Sequence, residues 1–311
     1  MEFSHRPVLL AETIEALHIH PGGLYCDCTA GGGGHSAAIL SRLGDKGRLV
    51  AVDRDPDAIA ALQARFSGDG RVRIVHDTFD HVAEILRGER ANGILADLGV
   101  SSHQLDCAER GFSFHRDAPL DMRMSKTGLS AADVVNTYSQ EALRRLLWEY
   151  GEEKYAPAIA RAIVRDREKQ PILTTFMLVD TIKSALPGKA MRDAHPARRT
   201  FQAIRIEVNG ELAMLEGALD AMFASLKTGG VLAVITFHSL EDRLVKRQFA
   251  KFTEGCTCPK EFPVCVCGKK PRGKVTCRGT AAAPAELQEN PRARSAKLRA
   301  IEKLRDRQTD D

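Results

Sequence analysis

The stretch Asp27-Cys28-Thr29-Ala30-Gly31-Gly32-Gly33-Gly34-His35-Ser36 follows a short apolar run and opens a helical pattern. Glycines in such a strand-to-helix turn let the backbone approach a ligand closely. The next apolar run ends in Asp53, where the ribose-binding acid of a nucleotide-type cofactor belongs. Nicotinamide dinucleotides and S-adenosylmethionine both set an adenosine ribose against such an acid. Four consecutive glycines followed by His35 do not reproduce the Gly-x-Gly-x-x-Gly spacing of a pyrophosphate cradle, which a methionine carboxylate does not need, so the loop tilts toward S-adenosylmethionine. The plain alternative is a tight turn with a surface aspartate.

A second candidate is Asp97-Leu98-Gly99-Val100-Ser101-Ser102-His103-Gln104-Leu105-Asp106, at the end of a later apolar run, where a substrate would face the cofactor. Asp97 could accept a hydrogen bond from an amino group, or only cap a turn. Arg110-Gly111-Phe112-Ser113-Phe114 and Pro119-Leu120-Asp121-Met122-Arg123-Met124 mix aromatics with arginines, as a base-stacking, phosphate-contacting loop would; core packing with a solvated rim reads equally well. His238 fits a structural or a catalytic histidine alike. No Gly-x-Ser-x-Gly surrounds Ser239, which argues against a hydrolase triad. Cys256, Cys258, Cys265 and Cys267, with Cys277 beyond, offer enough thiolates for four-coordinate zinc. Their Cys-x-Cys spacing is less diagnostic than Cys-x-x-Cys, a reduced metal-free loop and an oxidised pair compete with zinc, and no metal ligand is assigned.

The elements that must position these residues follow from the hydropathy pattern. Leu24 to Cys28, Arg48 to Asp53, Val72 to Val75 and Gly93 to Asp97 read as buried parallel strands. Helical patterns at Ser36 to Leu43 and Pro56 to Phe66 lie between them, which makes a doubly wound α/β sheet. From about Asp106 to Pro196 the spacing is helical, as at Glu141 to Tyr150 and Ala156 to Arg167. A long helix from about Arg199 to Leu226, a Gly229-Gly230 break and the run Val231 to Phe237 resume the alternation. Lys274 to Cys277 and Lys297 to Glu302 suit a last pair of strands, with Gly279 to Pro291 a loop between them. The expected organisation is a discontinuous sheet domain, 1–105 and 200–311, with an inserted helical domain, 106–199.

The chain has 311 residues, 43% hydrophobic and 28% charged, which excludes wholesale disorder and a fibrous repeat. Its longest apolar runs are too short to span a bilayer, the opening residues lack a leader pattern, and 8 cysteines are too few for a disulfide scaffold, so a cytoplasmic protein without a membrane is expected. The net charge of +4 is uneven: from Lys246 onward 16 basic residues face 8 acidic ones. Such a tail suits a polyanionic partner or is merely solvated. Arg144, Arg145, Arg161, Arg165 and Arg167 give the helical insertion the same two readings, and an exposed apolar stripe there would support a homodimer.

Eight phrases make a resemblance specific: Gly32-Gly33-Gly34-His35-Ser36, Asp53-Arg54-Asp55, Asp97-Leu98-Gly99-Val100-Ser101-Ser102, Glu109-Arg110-Gly111-Phe112-Ser113-Phe114, Pro119-Leu120-Asp121-Met122-Arg123-Met124, Arg199-Thr200-Phe201-Gln202-Ala203-Ile204-Arg205, Phe237-His238-Ser239-Leu240-Glu241-Asp242-Arg243 and Asn290-Pro291-Arg292-Ala293-Arg294-Ser295. In this order, over nearly the whole chain, they resemble the RsmH (MraW) family of bacterial methyltransferases of small-subunit ribosomal RNA. The resemblance implies a Rossmann-like class I S-adenosylmethionine-dependent fold. It also implies methyl transfer to the exocyclic N4 of a cytosine in the decoding region of 16S ribosomal RNA, within the small ribosomal subunit. It places Gly33, Gly34 and His35 on the methionine end of the cofactor, Asp53 on the ribose and Phe79 beside the adenine, with Asp97 and Gln104 completing the pocket. Asp97 is also the candidate catalytic residue. Many amino methyltransferases carry Asp or Asn followed by Pro-Pro and an aromatic, whereas Leu98-Gly99-Val100 follows here, so a stacking ring must come from elsewhere, with Phe112, Phe114 and Phe237 as candidates.

Overall fold

The computed structural model describes residues 7–191, 195–259, 264 and 266–306. Among them, seven strands form one sheet in the order β3-β2-β1-β4-β5-β7-β6: β1 (Leu24–Asp27), β2 (Arg48–Asp53), β3 (Val72–His76), β4 (Ala91–Asp97), β5 (Leu226–Thr236), β6 (Gly273–Ala281) and β7 (Lys297–Lys303). The first five are parallel, and β7 runs antiparallel to both β5 and β6. This is the doubly wound, Rossmann-like α/β sheet expected from the strand and helix pattern, extended by an antiparallel pair at one end. Strand β1 is buried at every position because both faces are covered, whereas β3, at the sheet edge, is only half-buried.

Helix α1 (Leu10–Ala16) precedes the first strand, and the crossovers among β1 to β4 are made by α2 (Gly34–Leu40), α3 (Pro56–Arg65) and α4 (Val82–Ile85). Helix α3 starts where it does because Asp55 accepts the backbone N–H of Asp57 at 3.0 Å, and Pro56 supplies a first turn with no N–H to satisfy. Leu17, Tyr25, Ile39, Leu49, Leu62, Leu95 and Ile235 form one apolar layer against the sheet. The chain leaves the sheet after β4 and builds α5 (Ser102–Asp106), α6 (Ala131–Thr137), α7 (Gln140–Gly151), α8 (Ala156–Arg167), α9 (Thr175–Ala185) and α10 (Arg198–Asn209). Leu143, Leu146 and Leu147 on α7, Ile159 and Ile163 on α8, and Phe201 and Ile204 on α10 fall at helical spacing and share a separate core. The sheet resumes through α11 (Glu211–Ala224), and α12 (Ser239–Thr253) and α13 (Pro284–Glu289) complete the chain.

Two compact units result, 1–99 with 213–311 and 100–212. Sequence patterning drew the boundaries at 105/106 and 199/200; α10 shares its buried face with the helical core and moves the second boundary past it. Three further local expectations are corrected. The long helix from Arg199 is two helices, because Gly210 adopts a left-handed φ of 62° between them. Gly229-Gly230 does not break the strand; β5 runs through both glycines, with a shift of register opposite Ala91 and Gly93. The segment Gly279 to Pro291 holds the end of β6 and the short helix α13.

Candidate cofactor and active site

In this strand order β1 has β2 on one side and β4 on the other, so their C-terminal ends border a topological switch point. The loop leaving β1 is tied to both neighbours. Cys28 N–H donates to the Leu95 carbonyl and Ala30 N–H to the Val52 carbonyl, each at 2.9 Å. The Thr29 hydroxyl accepts the N–H of Asp97 at 2.6 Å. Asp53 fixes the glycines: one carboxylate oxygen accepts from Gly31 N–H at 2.7 Å, the other from Asp55 N–H at 2.8 Å. Gly31 and Gly33 hold left-handed φ of 51° and 79°. A Cβ at Gly33 would press on Leu62, Arg65 and Phe66, while at Gly31 it would meet open space, the room a ligand needs beside the loop.

Behind this loop lies a buried acidic cluster. Asp27, 1% exposed, accepts the Ser36 hydroxyl at 2.7 Å, and burial pushes its carboxyl up to about 6. Burial also raises Asp53. Asp97 is raised well above the usual carboxylate range, first by burial and then by the charges of Asp27 and Glu241. Its Oδ2 lies 3.6 Å from His35 Nδ1, and its buried Oδ1 has no hydrogen-bond partner. The other ring nitrogen of His35 bonds the Val8 carbonyl at 3.1 Å, which makes Nε2 the protonated atom, and burial lowers this imidazole to about 4. Glu241, on the first turn of α12, accepts Phe237 N–H at 2.8 Å and His238 N–H at 3.3 Å through one oxygen.

Asp27 and His35 oppose each other in the pH dependence of stability. The Asp27 contribution is full below the unfolded value of 3.8 and is lost as pH rises through about 6. That of His35 is present above its unfolded 6.5 and is lost as pH falls through about 4. Each shift corresponds to roughly 3 kcal/mol. Wild-type stability is therefore expected to change little from this pair between pH 4.5 and 6.5, whereas Asp27→Asn leaves His35 unopposed. Urea midpoints at those two pH values should diverge in the variant, with the lower midpoint at pH 4.5; parallel midpoints in the two proteins would refute the compensation.

Phe79 is half-buried in the turn that follows β3, and Asp77 N–H, just before it, donates to the Asp53 carbonyl at 3.1 Å. Gln104 belongs to the helical unit, where its Oε1 accepts Ser101 N–H at 2.9 Å and closes the capping box of α5. His238 caps α12, so the structural reading of this histidine has a geometric basis. Phe112, Leu120, Met122 and Met124 are core residues of the helical unit, and Phe114 stacks on His195 at 4.3 Å, so the loop between them packs as a core. Phe237 is half-buried over Gly99, 3.5 Å from where a Cβ would stand. Arg144 pairs with Glu141 and Arg165 with Asp166, while Arg167 donates to the Val135 carbonyl. Cys265 lies outside the described residues.

Asp27, Thr29 and Glu241 stand within phrases that sequence reasoning singles out, yet it assigns them no role. The His-x-x-Glu spacing after an apolar strand is a capping signature and would have flagged Glu241. A profile of the MraW methylase family matches residues 2–304. The chain belongs to the MraW methylase family. S-adenosylmethionine is the methyl donor of this family, and the buried carboxylates and the orphaned Asp97 oxygen fit a cationic sulfonium. Among relatives of this methylase, a protein of Symbiobacterium thermophilum named ribosomal RNA small subunit methyltransferase H is 54% identical, with 98% of each chain covered. Proteins of the same name from Carboxydothermus hydrogenoformans and Clostridium botulinum are 53% and 50% identical, with 98% of this chain and 99% and 100% of theirs covered. No described helix is long and apolar enough to cross a membrane.

Proposed function

We propose that this methylase acts on small-subunit ribosomal RNA and transfers the methyl group to the exocyclic N4 of a cytosine in the decoding region. The observation that carries the reading is the buried, partnerless Oδ1 of Asp97 at the C-terminal end of β4. The names of relatives matched over nearly their full length support the RNA class. When bound, the cofactor supplies an electrophilic sulfonium methyl. A cytosine N4 is a poor nucleophile because its lone pair is delocalised into the ring, so positioning and electrostatics must supply the rate. Asp97 accepts an N4–H, which draws the lone pair out of conjugation and aims it, and offers a place for the proton that N4 loses on methylation.

Gly33, Gly34 and His35 hold the methionine end, Asp53 the ribose hydroxyls and Phe79 the adenine side. Each Asp53 oxygen already accepts one backbone N–H and has a lone pair left for a hydroxyl. Asp53→Ala removes both the ribose acceptor and the anchor of Gly31. A loss of about 2–3 kcal/mol is expected, a cofactor Kd weakened roughly 30- to 150-fold. RNA affinity should stay near wild type; calorimetric titration with S-adenosylhomocysteine that showed unchanged affinity would remove the ribose assignment. The reading as a whole is tested with labelled S-adenosylmethionine and unmodified small subunits, both mature and immature. N4-methylcytidine among the digested nucleosides supports it, and label in another nucleoside, or none, overturns it.

A further inference from the structure

The methyl-transfer reading leaves unused the segment between α12 and β6, and its cysteines lie close together. The Sγ atoms of Cys256, Cys258 and Cys267 are all within 4.8 Å of one another, and those of Cys256 and Cys267 are 3.6 Å apart. A tetrahedral zinc with Zn–S bonds of about 2.3 Å sets its sulfurs about 3.8 Å from one another, so this pair already has the edge length of a zinc–thiolate tetrahedron. A disulfide would need about 2.05 Å. Two backbone donors point at the sulfurs: Cys258 N–H to Cys256 Sγ and Val266 N–H to Cys258 Sγ, each at 3.4 Å. Such donors favour the thiolate, the form a metal binds.

The loop also needs a source of order. Its base is pinned, since Arg272 N–H donates to the Phe252 carbonyl at 2.9 Å and its guanidinium stacks over the rings of Phe252 and Phe223. Beyond that base the described residues bury little: Val264 and Val266 are 70% and 74% exposed, and the thiols are exposed or half-buried. Holding the described residues of this connection in place with so little buried costs conformational entropy that a metal cross-link offsets. Lys269, Lys270 and Arg272 follow in sequence and balance the negative charge of three thiolates around a divalent ion.

We infer that Cys256, Cys258 and Cys267 form a structural zinc site that fastens the 254–272 segment, separate from the methyl-transfer chemistry. Three soft thiolates select zinc over magnesium or calcium, and binding releases the thiol protons without any change of oxidation state. The test uses full-length protein purified under reducing conditions. Elemental analysis should find about one zinc per chain. Chelator-stripped protein titrated with Co2+ should develop thiolate-to-cobalt charge-transfer and tetrahedral d–d bands that Zn2+ abolishes. Cys256→Ser and Cys267→Ser should each lose those bands while keeping the wild-type far-ultraviolet circular dichroism. Cys277→Ser, whose thiol bonds the Leu298 carbonyl in the neighbouring strand, should keep them. The site is overturned if the reduced, folded protein binds no Co2+ or Zn2+, if the bands survive in both variants, or if peptide mapping finds Cys256 joined to Cys267 as a disulfide.

Discussion

Asp97→Ala is expected to lower the rate of methyl transfer by on the order of 10²- to 10³-fold while leaving the cofactor-free protein as stable as wild type or more so. The two effects have one origin. A half-buried carboxyl whose buried Oδ1 lacks a partner, beside the charges of Asp27 and Glu241, is a liability to folding. Such a group is stabilised only when a substrate N–H and a sulfonium face it. Because its pKa is raised, the Asp97 contribution to stability is full below the ordinary carboxylate value and is lost as pH rises through the folded one. The melting temperature of the variant minus that of wild type should therefore be more positive at pH 8 than at pH 5. Single-turnover assays and melts at both pH values decide the matter. Wild-type turnover would leave Asp97 as a turn residue that happens to be buried.

The second large effect concerns the helical unit. Gly111→Ala is expected to cost about 3–5 kcal/mol. Gly111 has a left-handed φ of 70°, and a Cβ there would stand 2.4 Å from the Pro119 carbonyl oxygen and 2.7 Å from Asp121 N, both backbone atoms. The neighbouring strand of chain cannot yield. Met122 N–H donates to the Arg110 carbonyl at 3.0 Å, and Arg110 donates to the carbonyls of Arg123 and Met124. The buried Asn209 amide accepts Met124 N–H at 2.9 Å and donates to the Met122 carbonyl at 2.8 Å. Moving Pro119 to Asp121 by the required ångström breaks several of these bonds. Hydrogen exchange at Met122 and Met124, with urea unfolding, should show the loss, and a cost below about 1 kcal/mol would show that the strap gives way.

The sheet was legible because strands covered on both faces need apolar interiors, as at residues 24–26 in β1, 49–52 in β2 and 93–96 in β4. Breaks that depend on a backbone angle were not. The pattern carries a helix straight through Gly210, where one ends, and breaks at Gly229, where the strand continues. The site divides in the same way. Asp53 and Asp97 could be found because each ends a strand beside the switch point, and Asp27 ends β1 just ahead of the loop. The effect of Glu241 on Asp97 arises only when β5 is laid beside β4, so no local pattern displays it. The aromatic and arginine-rich phrases from Glu109 to Met124 read equally well in sequence as recognition loops or as core packing, and they build the core that Arg110 and Asn209 staple together.

The position of β7 has a consequence for biogenesis. Among the described strands β7 comes after β6 in sequence, yet it is inserted between β5 and β6, in the interior of the sheet. A nascent chain that has emerged only as far as Ala296 holds β5 with an edge that nothing yet occupies, and β6 without its neighbour. The helical unit, whose consecutive helices α7, α8 and α9 pack on one another, can form while the ribosome is still translating the remainder. The sheet must instead wait until β7 has emerged, and a product interrupted before it would expose a ready-made template for aggregation.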